Sequence, residues 1–388
     1  YSFDVGESLG YFYQAASSYC GLSYLGSGKL MGLAAYGTKD TFVFDNIQLD
    51  NEKGYSINNK SVSFEDNMKY WYNIFSRYGY NPNFFSKNLV YTKEYIDFSS
   101  KVQNTLNNVM VSVAKAAIKN TGVSDICFSG GVSMNSAANL CLAEDTGANR
   151  VFTYAGGGDA GTCIGAAMQA HYELTGKPCK RTQTVYLGNS EENEHISQIL
   201  HGYKLKSRFI DNVELPTVIS DLLTQNLSVG VFKDREEFGA RALGNRSILY
   251  NPIVKNGRNI LNDIKKRESW RPFAPVILDK CKNKYLKKAY ESKYMTANFY
   301  VTNDGENDMR EAIHIDKTCR PQIADKNSFV DAILERFYLD TNRGALLNTS
   351  FNTKGNPIVH TIDDALKEFY SSGLDCLLLE NYLILKNS

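Results

Sequence analysis

At 388 residues, 43% hydrophobic and 22% charged, the chain is too long for one simple core and has the make-up of an ordinary two-domain globular protein. Its net charge of +1 excludes attraction to polyanions over the whole surface, so a nucleic-acid partner would need a local basic patch. The eight cysteines form no CxxC pair, which excludes a zinc ribbon or redox dithiol, and no apolar run is long enough to span a bilayer.

Taken in chain order, the opening YSFDVGESLGYFYQA reads like the middle of a domain, and an upstream segment is expected. Gly26 to Leu33 is punctuated by glycine and suggests a loop over a ligand at Lys29. Residues 41–100 are rich in Tyr, Asn and Phe without clear period and predict short strands within an elaborate loop region. Its aromatics Tyr70, Trp71, Tyr72, Phe75, Tyr78 and Tyr80 suit a lid over an acceptor or plain packing, and both readings stay open. Phe98, Val102, Leu106, Val109, Val113 and Ile118 recur at helical spacing, with Gly122 as the stop.

Two strand–glycine–helix units follow. Ile126 to Phe128 leads through Ser129-Gly130-Gly131 into a helix from Met134 to about Leu142. Val151 to Thr153 leads through Gly156-Gly157-Gly158-Asp159 into a helix from Ile164 to about Leu174. The pair predicts an α/β domain with a nucleotide-sized site at the turns. Pro178 and Gly188-Asn189 mark a boundary, giving domains 1–182 and 183–388. Beyond it, strands are expected at 229–232, 274–278, 376–379 and 382–385, with 345–352 a strand followed by a turn and a helix from Asp363 to about Ser371. His314 and Asp316 would point the same way along a strand.

The most specific chemistry lies in EFGARALGNRSIL and its continuation. Arg241, Arg246, Lys265, Arg267 and Arg271 are interleaved with glycines and apolar residues, unlike a solvated charge run. Guanidinium forks match phosphate oxygens two at a time, and lysine adds a point charge. Asn348, Ser350 and Asn352 supply donors and acceptors suited to a neutral amide, although an Asx turn accounts for them equally well. The glycine turns let backbone approach a phosphate, and Asp159 is either an exposed ligand for a cation or a helix cap.

Together the motifs GKLMGLAAYG, FSGGVSMN, GGGDAGTCIGAA, EFGARALGNRSIL, RESWRPFAPVIL, HIDKTCRPQ and NTSFN resemble the O-carbamoyltransferase family over nearly the whole chain. The resemblance implies part of an actin/sugar-kinase-like transfer domain over 1–182 and a YrdC-like α/β domain over 183–388. It implies that the second domain forms carbamoyl-adenylate from carbamoyl phosphate and ATP, and that the first moves the carbamoyl group to a hydroxyl of a small molecule. On this match Arg241, Arg246, Lys265, Arg271, Asn348 and Ser350 are the catalytic set. Gly130, Gly131, Asn135, Gly157, Arg267, Arg320 and Asn352 hold the nucleotide. Asp159 ligates a divalent metal, iron or a substitute, with magnesium accompanying ATP. The family's metal-binding histidine pair has no counterpart here and would precede Tyr1. The partners expected are carbamoyl phosphate and the acceptor, without nucleic acid or membrane; a homodimer is allowed for, and the location expected is the cytoplasm. The alternative is a carbamoyl- or threonylcarbamoyl-adenylate synthase serving tRNA modification.

Overall fold

The computed structural model describes residues 1–84, 91–180 and 184–386. The chain forms two compact units, Tyr1–Asp159 with Thr296–Asn298, and Ala160–Met295 with Phe299–Ser388. The boundary expected at 182/183 and the part of the expected lid at 85–90 lie outside the described residues.

The first unit is built on helices α1 (Leu9–Tyr19), α2 (Ser27–Ala34), α3 (Phe64–Arg77), α4 (Lys93–Thr121) and α5 (Ser136–Asp145). Hairpin β1 (Ile47–Asp50) and β2 (Gly54–Ile57) is antiparallel, whereas β3 (Asp125–Cys127) and β4 (Arg150–Phe152) pair in parallel. Helix α4 begins where Thr92 accepts the N–H of Tyr95 and ends at Gly122, whose φ of 70° is the left-handed stop foreseen from the sequence. The aromatic region predicted as loop contains α3, capped by Ser63 through the N–H of Asp66. Its Trp71 and Phe75 are fully buried and pack with Phe12 and Phe44, so these rings are core.

In the second unit the helices are α6 (Thr162–Thr175), α7 (Asn193–Gly202), α8 (Leu215–Thr224), α9 (Gly257–Ile264), α10 (Lys282–Tyr285), α11 (Asn303–Asp308), α12 (Phe329–Thr341) and α13 (Ile362–Ser371). Its strands are β5 (Arg208–Phe209), β6 (Val229–Phe232), β7 (Arg246–Tyr250), β8 (Ala274–Ile277), β9 (Phe299–Tyr300), β10 (Thr318–Cys319), β11 (Gln322–Ile323), β12 (Ala345–Ser350), β13 (Cys376–Leu379) and β14 (Tyr382–Leu385). Eight of them form one mixed sheet in the order β11-β8-β12-β7-β6-β13-β14-β5, with β11 parallel to β8 and β13 parallel to β6. β6, β8 and β13 are buried at every residue, which explains why they read as continuous apolar runs without alternation. Strand β7 was hidden in the arginine-rich passage, because Arg246 and Ser247 are polar yet fully buried. His314 and Asp316 lie in a turn closed by His314 N–H to Thr318 O (2.8 Å), not in the expected strand.

Candidate anion-binding site

The loop from Glu237 to Asn245 is organised around one carboxylate. Glu237 Oε1 accepts the backbone N–H groups of Leu243 (2.6 Å), Asn245 (2.8 Å) and Arg246 (3.2 Å). Gly239 and Gly244, at φ 113° and 125°, allow the chain to wrap the acid, and a side chain at Gly244 would strike Val330. The wrap sets Arg241 at the head of the loop. Burial raises the pKa of Glu237, and its three N–H partners oppose the rise.

Four further cations gather with Arg241. Lys265 ends α9 and is buried; its ammonium donates to Ser350 O, to Asn352 O (2.7 Å) and to Asn352 Oδ1 (2.9 Å). Arg267 donates through Nε to Asn262 and through Nη2 to Pro272 O (3.0 Å), and lies flat over Phe273 at 4.0 Å. Arg271 sits 3.7 Å from Glu268. Arg320 arrives from the segment before β11.

These groups feel one another. Burial, then Arg271, holds Arg241 down at about 10. Burial and Arg271 hold Arg267 down at about 9, partly opposed by Glu268. Lys265 is pushed far down by burial, Arg267 and Arg271. Arg320 is pushed far down by burial and by Arg241, Arg267 and Arg271. Among the described residues, the carboxylates felt by these five are Glu268 and Glu368, and Glu268 is shared with Lys354. A group of five cations, Lys265 buried and the four arginines half-buried, that faces two acids is unfavourable by itself and is relieved by an anion carrying two or more charges.

Arg246 does not join this group. It is fully buried, stacks on Phe232 at 3.7 Å and donates to the carbonyls of Lys233, Asp234, Asn245 and Asn189. The sequence grouped Arg246 with the other cations because it is near them in the chain. Its guanidinium braces backbone turns, and the charges acting on it are Glu237, Glu236, Glu380 and Asp234.

On β12, Asn348 and Ser350 point to the same sheet face. Ser350 Oγ donates to Asn352 Oδ1 (2.7 Å), so both belong to the Lys265 knot. Asn348 is 1% exposed and donates to Gln322 Oε1 (2.8 Å), while its Oδ1 has no hydrogen-bond partner among the described residues. Glu368, on α13, escaped the sequence reading, since nothing local marks a helical glutamate as facing Lys265.

The glycine turns belong to the first unit. Gly130 N–H donates to Gly157 O (2.6 Å), which ties the two turns together, and the space around Gly130 and Gly131 is open. Asn135 caps α5 through the N–H of Ala138 (3.0 Å) and pairs with Gln103, so its amide serves the fold here. Asp159 is exposed at the start of a short turn. Among the described residues no three His, Cys, Asp or Glu side chains converge on one point, and Asp159 is the one metal ligand that the resemblance places on this chain.

Residues 1–168 match the family model described as Carbamoyltransferase N-terminus, and residues 220–386 the one described as Carbamoyltransferase C-terminus. The chain belongs to the carbamoyltransferase family. The chain is 32% identical to the uncharacterized protein MJ1051 of Methanocaldococcus jannaschii over 99% of its own length and 73% of that protein's. It is 30% identical to the nodulation protein NolO of Bradyrhizobium diazoefficiens over 99% of its own length and 70% of the relative's. A 3′-hydroxymethylcephem-O-carbamoyltransferase of Streptomyces clavuligerus is 28% identical over 62% of this chain and 44% of that enzyme. The chain thus spans only part of each relative; for a second M. jannaschii protein the share is 62%. Solved structures give weaker likeness. Full-length HypF in its phosphate- and nucleotide-bound form aligns with 47% of this chain and 23% of that one at TM-score 0.33 and 15% identity. P. abyssi Sua5 with L-threonine aligns with 45% of this chain and 48% of that one at TM-score 0.33 and 12% identity.

Proposed function

We propose that the chain is the larger part of an ATP-dependent O-carbamoyltransferase that takes its carbamoyl group from carbamoyl phosphate. The observation that carries the reading is the cluster of Arg241, Lys265, Arg267, Arg271 and Arg320, short of acids and held at depressed pKa by burial and mutual repulsion. Carbamoyl phosphate and the phosphates of ATP are anions of the charge this cluster needs.

In the proposed reaction water splits carbamoyl phosphate to carbamate and inorganic phosphate. A carbamate oxygen then attacks the α-phosphorus of ATP, the bond to the β-phosphate breaks, and pyrophosphate leaves. The acceptor hydroxyl finally attacks the carbamoyl carbon of the adenylate, its proton goes to solvent, and AMP leaves. The cations offset the charge that accumulates on phosphate oxygens in the first two steps. Membership of the family and the printed activity of the cephem relative support a hydroxyl on a small molecule as the acceptor.

The same reading assigns an actin/sugar-kinase-like fold to the first domain, with Gly130, Gly131 and Gly157 holding the adenylate, and a YrdC-like fold to the second. The eight free cysteines suit a reducing, cytoplasmic setting. No helix among the described residues is long and apolar enough to cross a membrane.

The test is incubation of the chain with ATP and carbamoyl phosphate, with products resolved by chromatography. Pyrophosphate is expected without added threonine or bicarbonate. ADP in place of pyrophosphate, or a strict requirement for threonine and bicarbonate, rejects the proposal.

A further inference from the structure

We infer that Gln322 is a positioning residue that makes this site prefer a carbamoyl group to an acetyl group. The inference rests on the reading of the cation cluster as the carbamoyl phosphate site. Gln322 and Asn348 are 2% and 1% exposed. Gln322 pairs with Val276 and Val276 with Leu346, so Gln322 shares one sheet face with Asn348 and Ser350.

A carboxamide turned end for end keeps its shape, so its orientation must be decided by its partners. Here they decide it. The carbonyl of Leu243 can only accept, and Gln322 Nε2 lies 2.7 Å from it. That turns Gln322 Oε1 towards Asn348, which must therefore present Nδ2, at 2.8 Å. Ala242 O takes the second Nδ2 proton at 3.4 Å. Asn348 Oδ1 is thereby fixed as an acceptor, buried and without a hydrogen-bond partner among the described residues. The far end of the relay is anchored too, since Glu237 Oε1 holds the Leu243 N–H at 2.6 Å.

Both ends of the relay adjoin the cations along the chain: Ala242 and Leu243 follow Arg241, and Gln322 lies two residues beyond Arg320. A buried acceptor left without a donor is costly, and a ligand that brings an N–H recovers the loss. The ligand called for has phosphate-like charge at one end and an amide N–H at the other. Carbamoyl phosphate has both. Acetyl phosphate has the same shape with a methyl in place of the amine, and would leave Oδ1 unpaired. Sites built to hydrogen-bond a polar group reject analogues that lack it more strongly than apolar pockets reject an added group.

The test is calorimetric titration of the full chain with phosphonoacetamide and 2-oxopropylphosphonate, which resist hydrolysis and differ by amine against methyl. Inorganic phosphate is the third probe. The wild-type chain is expected to bind the amide about tenfold tighter or more. Gln322→Met keeps the volume but holds neither Leu243 nor Asn348, and should bring the two affinities within about twofold while phosphate affinity stays within about threefold. Equal affinity of the two phosphonates for the wild-type chain overturns the inference with no variant needed, as does an unchanged ratio in a folded Gln322→Met. If none of the three anions binds the wild-type chain, it is the anion-site reading that fails instead.

Discussion

Arg241 offers a test in which stability and binding should move in opposite directions. Its side chain is partly exposed and, among the described residues, its Nε has no hydrogen-bond partner and the charge felt by its guanidinium is that of Arg271. A pKa of about 10 in the fold, well below the ordinary arginine range, corresponds to roughly 3 kcal/mol disfavouring the charged form. Solvent screening at a partly exposed group trims this to about 1–2 kcal/mol. Arg241→Met keeps much of the apolar stem and removes the charge, so the unliganded protein should become more stable by about 1–2 kcal/mol, a rise in Tm of roughly 2–8 °C. Phosphate binding should weaken by about ten- to a hundredfold, because one charge-assisted donor is gone. Thermal melts with and without saturating inorganic phosphate read both effects, and the curves of the two proteins should cross as phosphate is added. An Arg241→Met protein that melts lower without phosphate and shows an undiminished phosphate shift would refute the picture of repelling cations awaiting an anion.

Phosphate affinity should fall as pH rises through about 9, where Arg267 loses its proton and where Lys265 and Arg320 are also held far below their ordinary values, approaching a tenfold loss per pH unit for each proton required. The fold should respond with the opposite sign. A cation whose folded pKa lies below its unfolded value binds more protons when unfolded, so above about 9 Arg267 contributes a gain in stability as pH rises, until the unfolded chain loses the proton too; urea midpoints with and without phosphate separate the two trends. Arg246→Met should cost about 2–4 kcal/mol in urea melts, since it leaves four carbonyls without their donor, while phosphate affinity of the folded fraction changes by less than about threefold. Trp71→Ala should cost about 3–5 kcal/mol through the cavity left among Phe12 and Phe75, and leave phosphate affinity alone, as befits a core ring rather than a lid.

Several elements could be read from the sequence because their signal is local. Helix α4 declares itself by its 3.6-residue period and its closing Gly122, and β6, β13 and β14 by apolar runs between turns. The family motifs are contiguous strings, so membership too could be recognised before any coordinate was known. Helix α3 does carry a helical period, with Met68, Trp71, Ile74 and Phe75 buried on one face, but a reading by composition, drawn to the many Tyr, Asn and Phe of the stretch, passed over it.

The linear chain determined which cations were candidates: a dense run of Arg and Lys among glycines, too apolar in its neighbours for a solvated surface. Folding decided which of them act together. The order β11-β8-β12-β7 sets strands side by side that are far apart in the chain, which brings Arg320 and Gln322 to Arg241 and Asn348. Arg246, only five residues from Arg241, is carried by β7 into the interior and used up on carbonyls. Spacing along a chain reports neighbours within one element, whereas charge repulsion and hydrogen bonding act through space, and here only the sheet fixes those distances.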